Sequence, residues 1–423
     1  MTEVAHATLA ILLVTTTACA PGARRATREL LDGGDIEAAV RAAGDDSGAL
    51  GEVSLEVLAR AFEDPSTREA AARGLRAAGT LSRSTLRRLS SSGLPAISAV
   101  ADEVLASQGD RRALDRLAHL LDHPDGEVRA AAVRGLARSH GTASFFEPFL
   151  RDTDSRVRLS AVEGLARLQD ARTAPLIVDL ARHDPSPSVR AAALRALRRS
   201  ASTEVLLEAS RDGLNDPEIL VRNSAIGLVA FVSDRESATA LLRERMARGE
   251  PAEAIRAASV LARWGDAEAR GVLTRTLAEG CVALAGAAAI GIAQVGRDMA
   301  DVLIAALDRP EPEVRMQVAA ALLDLGENAR AESTLVALLE RPGWIGIQAA
   351  AALVRTGHEG AAGRLEAGLG DDDEGIRALA ASACGRTRGG ERIARRALTD
   401  ASANVRVAAA AAILERLVRG RNG

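Results

Sequence analysis

DHPDGEVRAAAVRGLARSHG (122–141), DTDSRVRLSAVEGLARLQD (152–170) and DPSPSVRAAALRALRRS (184–200) are one block written three times in succession. The block reads Asp-(Pro)-x-x-x-Val-Arg-x-x-Ala-x-x-x-Leu, and EPEVRMQVAAALLDLG (311–326) is a later copy. Self-similarity at a period of 20–50 residues marks a solenoid, in which each unit buries its apolar face only against its neighbours. Taking the residue at the Val of Val-Arg as anchor gives Thr67, Ile97, Val128, Val157, Val189, Val221, Glu253, Leu284, Val314, Ile345, Ile376 and Val405, spaced 29 to 32 residues apart. Such a chain grows by addition and needs no second core.

Each unit holds two helical patterns. In DRRALDRLAHLLDH (110–123), Leu114, Leu117, Leu120 and Leu121 fall three and four apart on one face; Val128, Ala132 and Leu136 form the second stripe. Asp-Pro or Asp-x-Pro lies between them, as at Asp184-Pro185, where Pro suits a first helical turn. Gly79, Gly109, Gly141, Gly265, Gly296, Gly326 and Gly357 follow the second helix, the place of a C-terminal glycine cap. The expectation is an all-α, right-handed α-α superhelix of about twelve two-helix repeats over 50–423, after a signal-like segment at 1–19 and a linker with capping helices at 20–49.

The units resemble HEAT repeats, specifically the short bacterial type also found in phycobilin lyases. The resemblance covers roughly 50–419 and implies a HEAT/armadillo-like stack on the order of 100 Å long, given ~8–10 Å between packed helices. On function the resemblance is nearly silent; because solenoids usually bind rather than catalyse, the expectation is a non-catalytic scaffold, membrane-tethered, binding a protein along its inner row of second helices. The alternative is a phycobilin-lyase-like or chaperone-like accessory that holds a substrate protein for modification.

Composition narrows the partners. All 54 basic residues are Arg, the net charge is −3, and there is no Tyr. Duplex binding needs a strong positive excess and single-strand binding a run of aromatic platforms. The seven aromatics are Phe62, Phe145, Phe146, Phe149, Phe231, Trp264 and Trp344, so nucleic acid is not the expected partner.

The residue after the anchor is Arg in eight units: Arg68, Arg129, Arg158, Arg190, Arg222, Arg315, Arg377 and Arg406. With turn carboxylates nearby, these read as a structural ladder in which each guanidinium forks onto an acid of its own or the adjacent unit. Ser98, Ala254, Ala285 and Gly346 break the row. Two breaks lie in uncharged stretches, CVALAGAAAIGIAQV (281–295) and WIGIQAAAALV (344–354). A helix apolar all round is buried all round or meets another surface. Leu284, Ala288, Ile292, Trp344 and Ile345 are therefore candidates for a partner patch, with tight Ala/Gly packing as the competing reading. Phe145, Phe146 and Phe149 form a second, weaker contact candidate.

Residues for chemistry are sparse. His119 and His123 share a helical spacing but have no third ligand; His6, His140 and His183 are isolated. HEAT-repeat hydroxylases hold di-iron with several His-Glu pairs, and this chain has one, His358-Glu359. Cys19, Cys281 and Cys384 make neither a disulfide framework nor a metal set. No phosphate loop or catalytic triad is present. No catalytic residue, metal or cofactor is expected.

LAILLVTTTACAPG (9–22) is an uncharged run too short to span a bilayer as a helix but suited to a secretory signal. Its Thr-Thr-Ala-Cys resembles a bacterial lipobox, which implies lipidation at Cys19 and a lipid-anchored place in the bacterial cell envelope. Thr16 stands where Leu is usual, and the preceding MTEVAHAT carries Glu3 and no basic residue. The other reading is a first buried helix over 4–18 in a cytoplasmic chain, against which three consecutive β-branched Thr weigh.

Overall fold

The computed structural model describes residues 20–62, 64–77, 83–139 and 142–422. Cys19, His6, His140, Gly79 and Gly141 lie outside them. Among the described residues there are 26 α-helices and no strand. Each of the twelve anchors sits on the second helix of a pair, from Pro65–Ala77 for Thr67 to Ala403–Asn422 for Val405. The all-α superhelical repeat fold is thus reached by helix pairs throughout.

The local signals act as their chemistry requires. Gly109, Gly265, Gly296, Gly326 and Gly357 have φ between 80° and 125°, a region that side chains rarely adopt, and each ends a second helix or its last turn. Pro187, Pro251 and Pro312 open second helices, where the missing N–H had no partner to lose. Asp125 and Asp154 cap the helices after them through the N–H of Glu127 and Arg156 (2.8 Å each). First helices are less regular. Arg111–Ala118 stops before Leu120 and Leu121, which half-bury in the turn ahead of Pro124, while Ala113 and Leu117 carry the packing.

The chain divides into two compact units, one formed by residues up to Asp110 together with Leu339 onward, the other by Arg111–Leu338. In the first, Ala20–Asp32 and Ile36–Ala43 pack on each other and on Ser47–Arg60, a helix that spans the expected repeat boundary at residue 50. The last helix, Ala403–Asn422, packs on Ser47–Arg60 and Pro65–Ala77. Leu417 lies over Gly51, Ala411 lies beside Gly74, and Arg395 pairs with Asp45 at 3.2 Å. Within this unit the N-terminal and C-terminal helices therefore pack on each other. The apolar surface that an end repeat would leave bare is covered by the other end.

In the second unit, second helices from Gly126–Leu136 to Pro312–Leu325 pack side by side in chain order. Val128, Val157, Val189, Val221 and Val314 are fully buried between them. The ring of Phe146, also fully buried, lies directly on Gly164, where even a methyl group would collide with it.

Candidate docking face

The anchor arginines all lie beside the turn between the helices of a pair. Arg129 donates Nε and Nη2 to the two carboxylate oxygens of Asp152 (2.9 and 2.6 Å) and Nη1 to the His123 carbonyl (2.7 Å). Arg158 repeats this on Asp184 (2.7 and 2.8 Å) and the Asp152 carbonyl (2.8 Å). Arg190 binds Asp216 (2.8 and 2.9 Å) and the Asp184 carbonyl (2.9 Å). Arg377 binds Asp400 (2.9 and 3.1 Å) and the Asp371 carbonyl (3.0 Å). Each of these four rungs thus ties its own turn to the turn of the next repeat. Each acceptor Asp also takes the N–H two residues on, at 2.8–2.9 Å for Asp152, Asp184, Asp216 and Asp400.

Burial alone pushes the carboxyls of Asp152, Asp216 and Asp400 up, but the Arg bond, the backbone N–H and the Arg charge together hold them below the ordinary value. The same contacts raise Arg129, Arg158 and Arg190.

Arg222 binds Glu253 (2.5 Å) and Glu250 (2.9 Å), so the acidic residue at an anchor position is the acceptor for the preceding unit. Glu253 is buried, and Arg245 also approaches it at 3.3 Å. Arg68 donates to the Phe62 carbonyl (3.0 Å) and Arg406 to that of Asp400 (2.7 Å). Arg315 departs from the pattern, its Nε buried with no hydrogen-bond partner.

At two broken rungs, arginines that the sequence reading passed over take the turn from the other side. Where Ala285 replaces Arg, Arg309 reaches back to the carbonyls of Leu277 (2.9 Å), Ala278 and Gly280 (3.1 Å). Where Gly346 replaces it, Arg364 donates to those of Leu339 and Arg341 (3.1 Å each). The available signal was the demand itself: a turn with unpaired carbonyl oxygens and no local donor.

The proposed apolar patch separates. Ala288 and Ile292 are fully buried, which corrects their reading as docking residues. Val282–Val295 is packed from both sides: Ser259 of Pro251–Arg263 sits over Gly291 and Gln317 of Pro312–Leu325 over Gly286. Small residues here admit neighbouring helices, and lack of charge follows from that. Leu284 and Ile345 are half-buried, whereas Trp344 is 40% and Ile290 56% exposed. Trp344 and Ile345 belong to one compact unit and Leu284, Ala288 and Ile292 to the other. Among the aromatics, Phe146 is core, with Phe145 edge-on to it (4.9 Å) and Phe149 5.6 Å from Phe145.

HEAT repeats match residues 52–137, 119–198, 142–230 and 177–262. This chain carries HEAT repeats. No curated protein matches the sequence. Similar solved structures include Escherichia coli YibA (18% identity, TM-score 0.31, 64% of this chain and 91% of that one). Human deoxyhypusine hydroxylase in complex with glycerol is another (21%, 0.27, 67% and 98%). A third is the karyopherin Kap121p bound to the extreme C-terminus of the protein phosphatase Cdc14p (13%, 0.39, 83% and 42%).

Among the described histidines and cysteines, His123, His183 and Cys384 have structural partners, whereas the buried Nδ1 of His358 has none. His123 accepts the Asp125 N–H (3.1 Å) and His183 contacts Asp179 (2.9 Å). Burial, helped by the Glu366 charge, pushes the Cys384 thiol up to about 12, and its Sγ donates to the Ala380 carbonyl. No group of three or more His, Cys, Asp or Glu among the described residues is placed to hold a metal. An apolar groove of about 540 Å³ lies along Leu277, Val302, Ala305 and Pro310, bordered by Arg309. No described helix is long and apolar enough to cross a membrane.

Proposed function

We propose that this protein is a non-catalytic interaction scaffold that binds a protein along its row of second helices and is tethered to a bacterial envelope membrane through lipidated Cys19. The supporting observation is the second-helix row of Arg111–Leu338. Its buried stripe and its turn edge are committed to packing and to the ladder, while Ile290 on Val282–Val295 and Phe231 just beyond Ile219–Val229, the latter with Arg198 over its ring, keep apolar side chains about half exposed. A repeat array offers such a row as an extended surface. The tether rests on the Thr-Thr-Ala-Cys sequence and the apolar run before it.

Intact mass and detergent partitioning of the protein from its own host test the tether. A chain beginning at Cys19 with added acyl mass, recovered in detergent, is expected; a full-length chain in the aqueous phase overturns it. For the scaffold, Ile290→Glu is expected to leave helicity and melting unchanged and to release the bound protein. Retention of that protein at full occupancy would refute binding along this row.

A further inference from the structure

The C-terminal ends of the second helices of 126–263 and the turns just after them carry a column of like charge that neither the ladder nor the core uses. Counting ten residues from each anchor gives Arg138, Arg167, Arg199, Phe231 and Arg263 on five consecutive repeats, all exposed. Arg167 and Arg263 lie in the last turns of their helices and Arg138, Arg199 and Phe231 in the turns just after theirs, so all five follow one edge of helices packed side by side. Among the described residues, none of these four arginines makes an ion pair. At the position taken by Phe231 the cation is still supplied, since Arg198 of the preceding repeat lies over the ring at 4.6 Å. Arg235 lies over Trp264, next to Arg263, at 3.8 Å.

The turn aspartates at this end are already engaged. Asp170 is bound by Arg172 (2.7 Å), Asp266 by Arg243 (2.7 Å), and Asp234 caps its helix through Ser237 N–H. Glu163, one turn before Arg167, is the exposed acid on the stripe itself. Beyond Arg263 the same position becomes Gln294 and then Asp324, so the positive column ends.

We propose that this column is the docking site for an extended acidic polypeptide segment of the partner, with a carboxylate at about every third residue. Packed helices lie ~8–10 Å apart, and three residues of an extended polyproline-II chain, at ~3.1 Å each and with every third side chain on one face, cover the same distance. Each guanidinium offers a planar fork that a carboxylate can meet with two hydrogen bonds. Phe231 accepts an apolar side chain midway, and Glu163 repels a continuous phosphate backbone more than a segment whose charges can be spaced around it. The column thus favours acidic protein over nucleic acid. This deepens the scaffold reading by naming the partner's chemistry and rests on it.

The test uses the full chain and a labelled peptide of about fifteen residues with Glu at every third position, matching the column by length. Binding that weakens with salt is expected, with at least about a tenfold loss in the Arg138/Arg167/Arg199/Arg263→Gln variant at unchanged melting. The same four positions changed to Glu are expected to bind a Lys-for-Glu version of the peptide instead. Equal binding by wild type and the Gln variant overturns the column, as does tighter binding of an oligothymidylate of equal charge. Release of the natural partner by Ile290→Glu but not by the Gln variant also overturns the column while leaving the scaffold standing.

Discussion

The repeats from Asp122 to Glu253 and those around Ala285 and Gly346 solve one problem in opposite directions. In the first stretch Arg129, Arg158, Arg190 and Arg222 each hold their own turn and reach forward to an acid of the next repeat. In the second, Arg309 and Arg364 reach back to a turn that has no arginine of its own. What both share is a set of turn carbonyl oxygens answered by a guanidinium; a carboxylate of the next repeat belongs to the forward arrangement, and Arg309 finds its carboxylate, Glu311, two residues away. The constant demand is therefore backbone satisfaction, since a buried peptide oxygen without a donor is costly. The motif Val-Arg is one supply of the donor among several.

Packing sets the largest expected effect. In the helix Val282–Val295, Gly286→Leu would drive a side chain into Gln317 and separate Val282–Val295 from Pro312–Leu325. Loss of cooperative unfolding is expected by calorimetry, whereas Ala283→Leu, on the exposed side of the same helix, should melt as wild type. Equal tolerance at both positions would mean that this stretch is not held by close packing.

Next comes Arg158→Ala. The side chains of Arg158 and Asp184 are 9% and 1% exposed, so the substitution strands a buried carboxylate and should cost about 3–5 kcal/mol. Asp184→Asn added to it should recover part of the loss, because an amide is less costly to bury than a charge. Denaturant unfolding of the three variants checks this. A single variant within about 0.5 kcal/mol of wild type would show the ladder to be ornamental in the forward stretch.

The contrast also marks what was legible in the sequence. Helix pairs, turn positions and glycine caps are dictated within a few residues, by spacing, proline and positive φ, and could be read off the repeat. The arginine row was visible as a row, but not its direction: an acid a few residues upstream and another about 26 downstream are equally available on paper. Glu253 carried a clue, an acid at a position otherwise apolar. Arg309 and Arg364 carried none in the motif, because their roles arise from what Ala285 and Gly346 leave undone. Ala288 and Ile292 misled because freedom from charge is common to an exposed apolar patch and a crowded Ala/Gly contact; only the neighbours Gln317 and Ser259 distinguish them. The packing of Ala403–Asn422 on Ser47–Arg60 joins segments far apart in the chain, which no single repeat encodes.

A smaller effect is expected on the other side of the comparison. Arg364→Ala removes donors from two turn carbonyls at the rim of the repeat, where water can replace part of them, and should cost about 1–2 kcal/mol. Gly346→Arg does not substitute for it, because even a Cβ at Gly346 would press on the Arg341 and Leu339 carbonyls. A double variant as stable as wild type in denaturant would show that direction is interchangeable at this turn.

Acid separates the two stretches most gently. The carboxyls of Asp152 and Asp216 are held below their ordinary value of 3.8 in the folded protein, so their contribution is complete above that pH. It is lost as pH falls from there through the lower folded values, when the acids protonate and the forks from Arg129 and Arg190 lose their anionic partners. The bonds from Arg364 end on carbonyl oxygens, which do not titrate in this range, and those from Arg309 do so apart from its contact with the carboxylate of Glu311. Amide exchange followed downward from pH 5 should therefore rise first in the turns at 152–155 and 216–219, with the turns at 277–281 and 339–343 holding longer. At neutral pH no difference from this source is expected, so the effect must appear only on the acid side. Simultaneous loosening of all four turns would mean that global unfolding, rather than the forward forks, sets the acid limit.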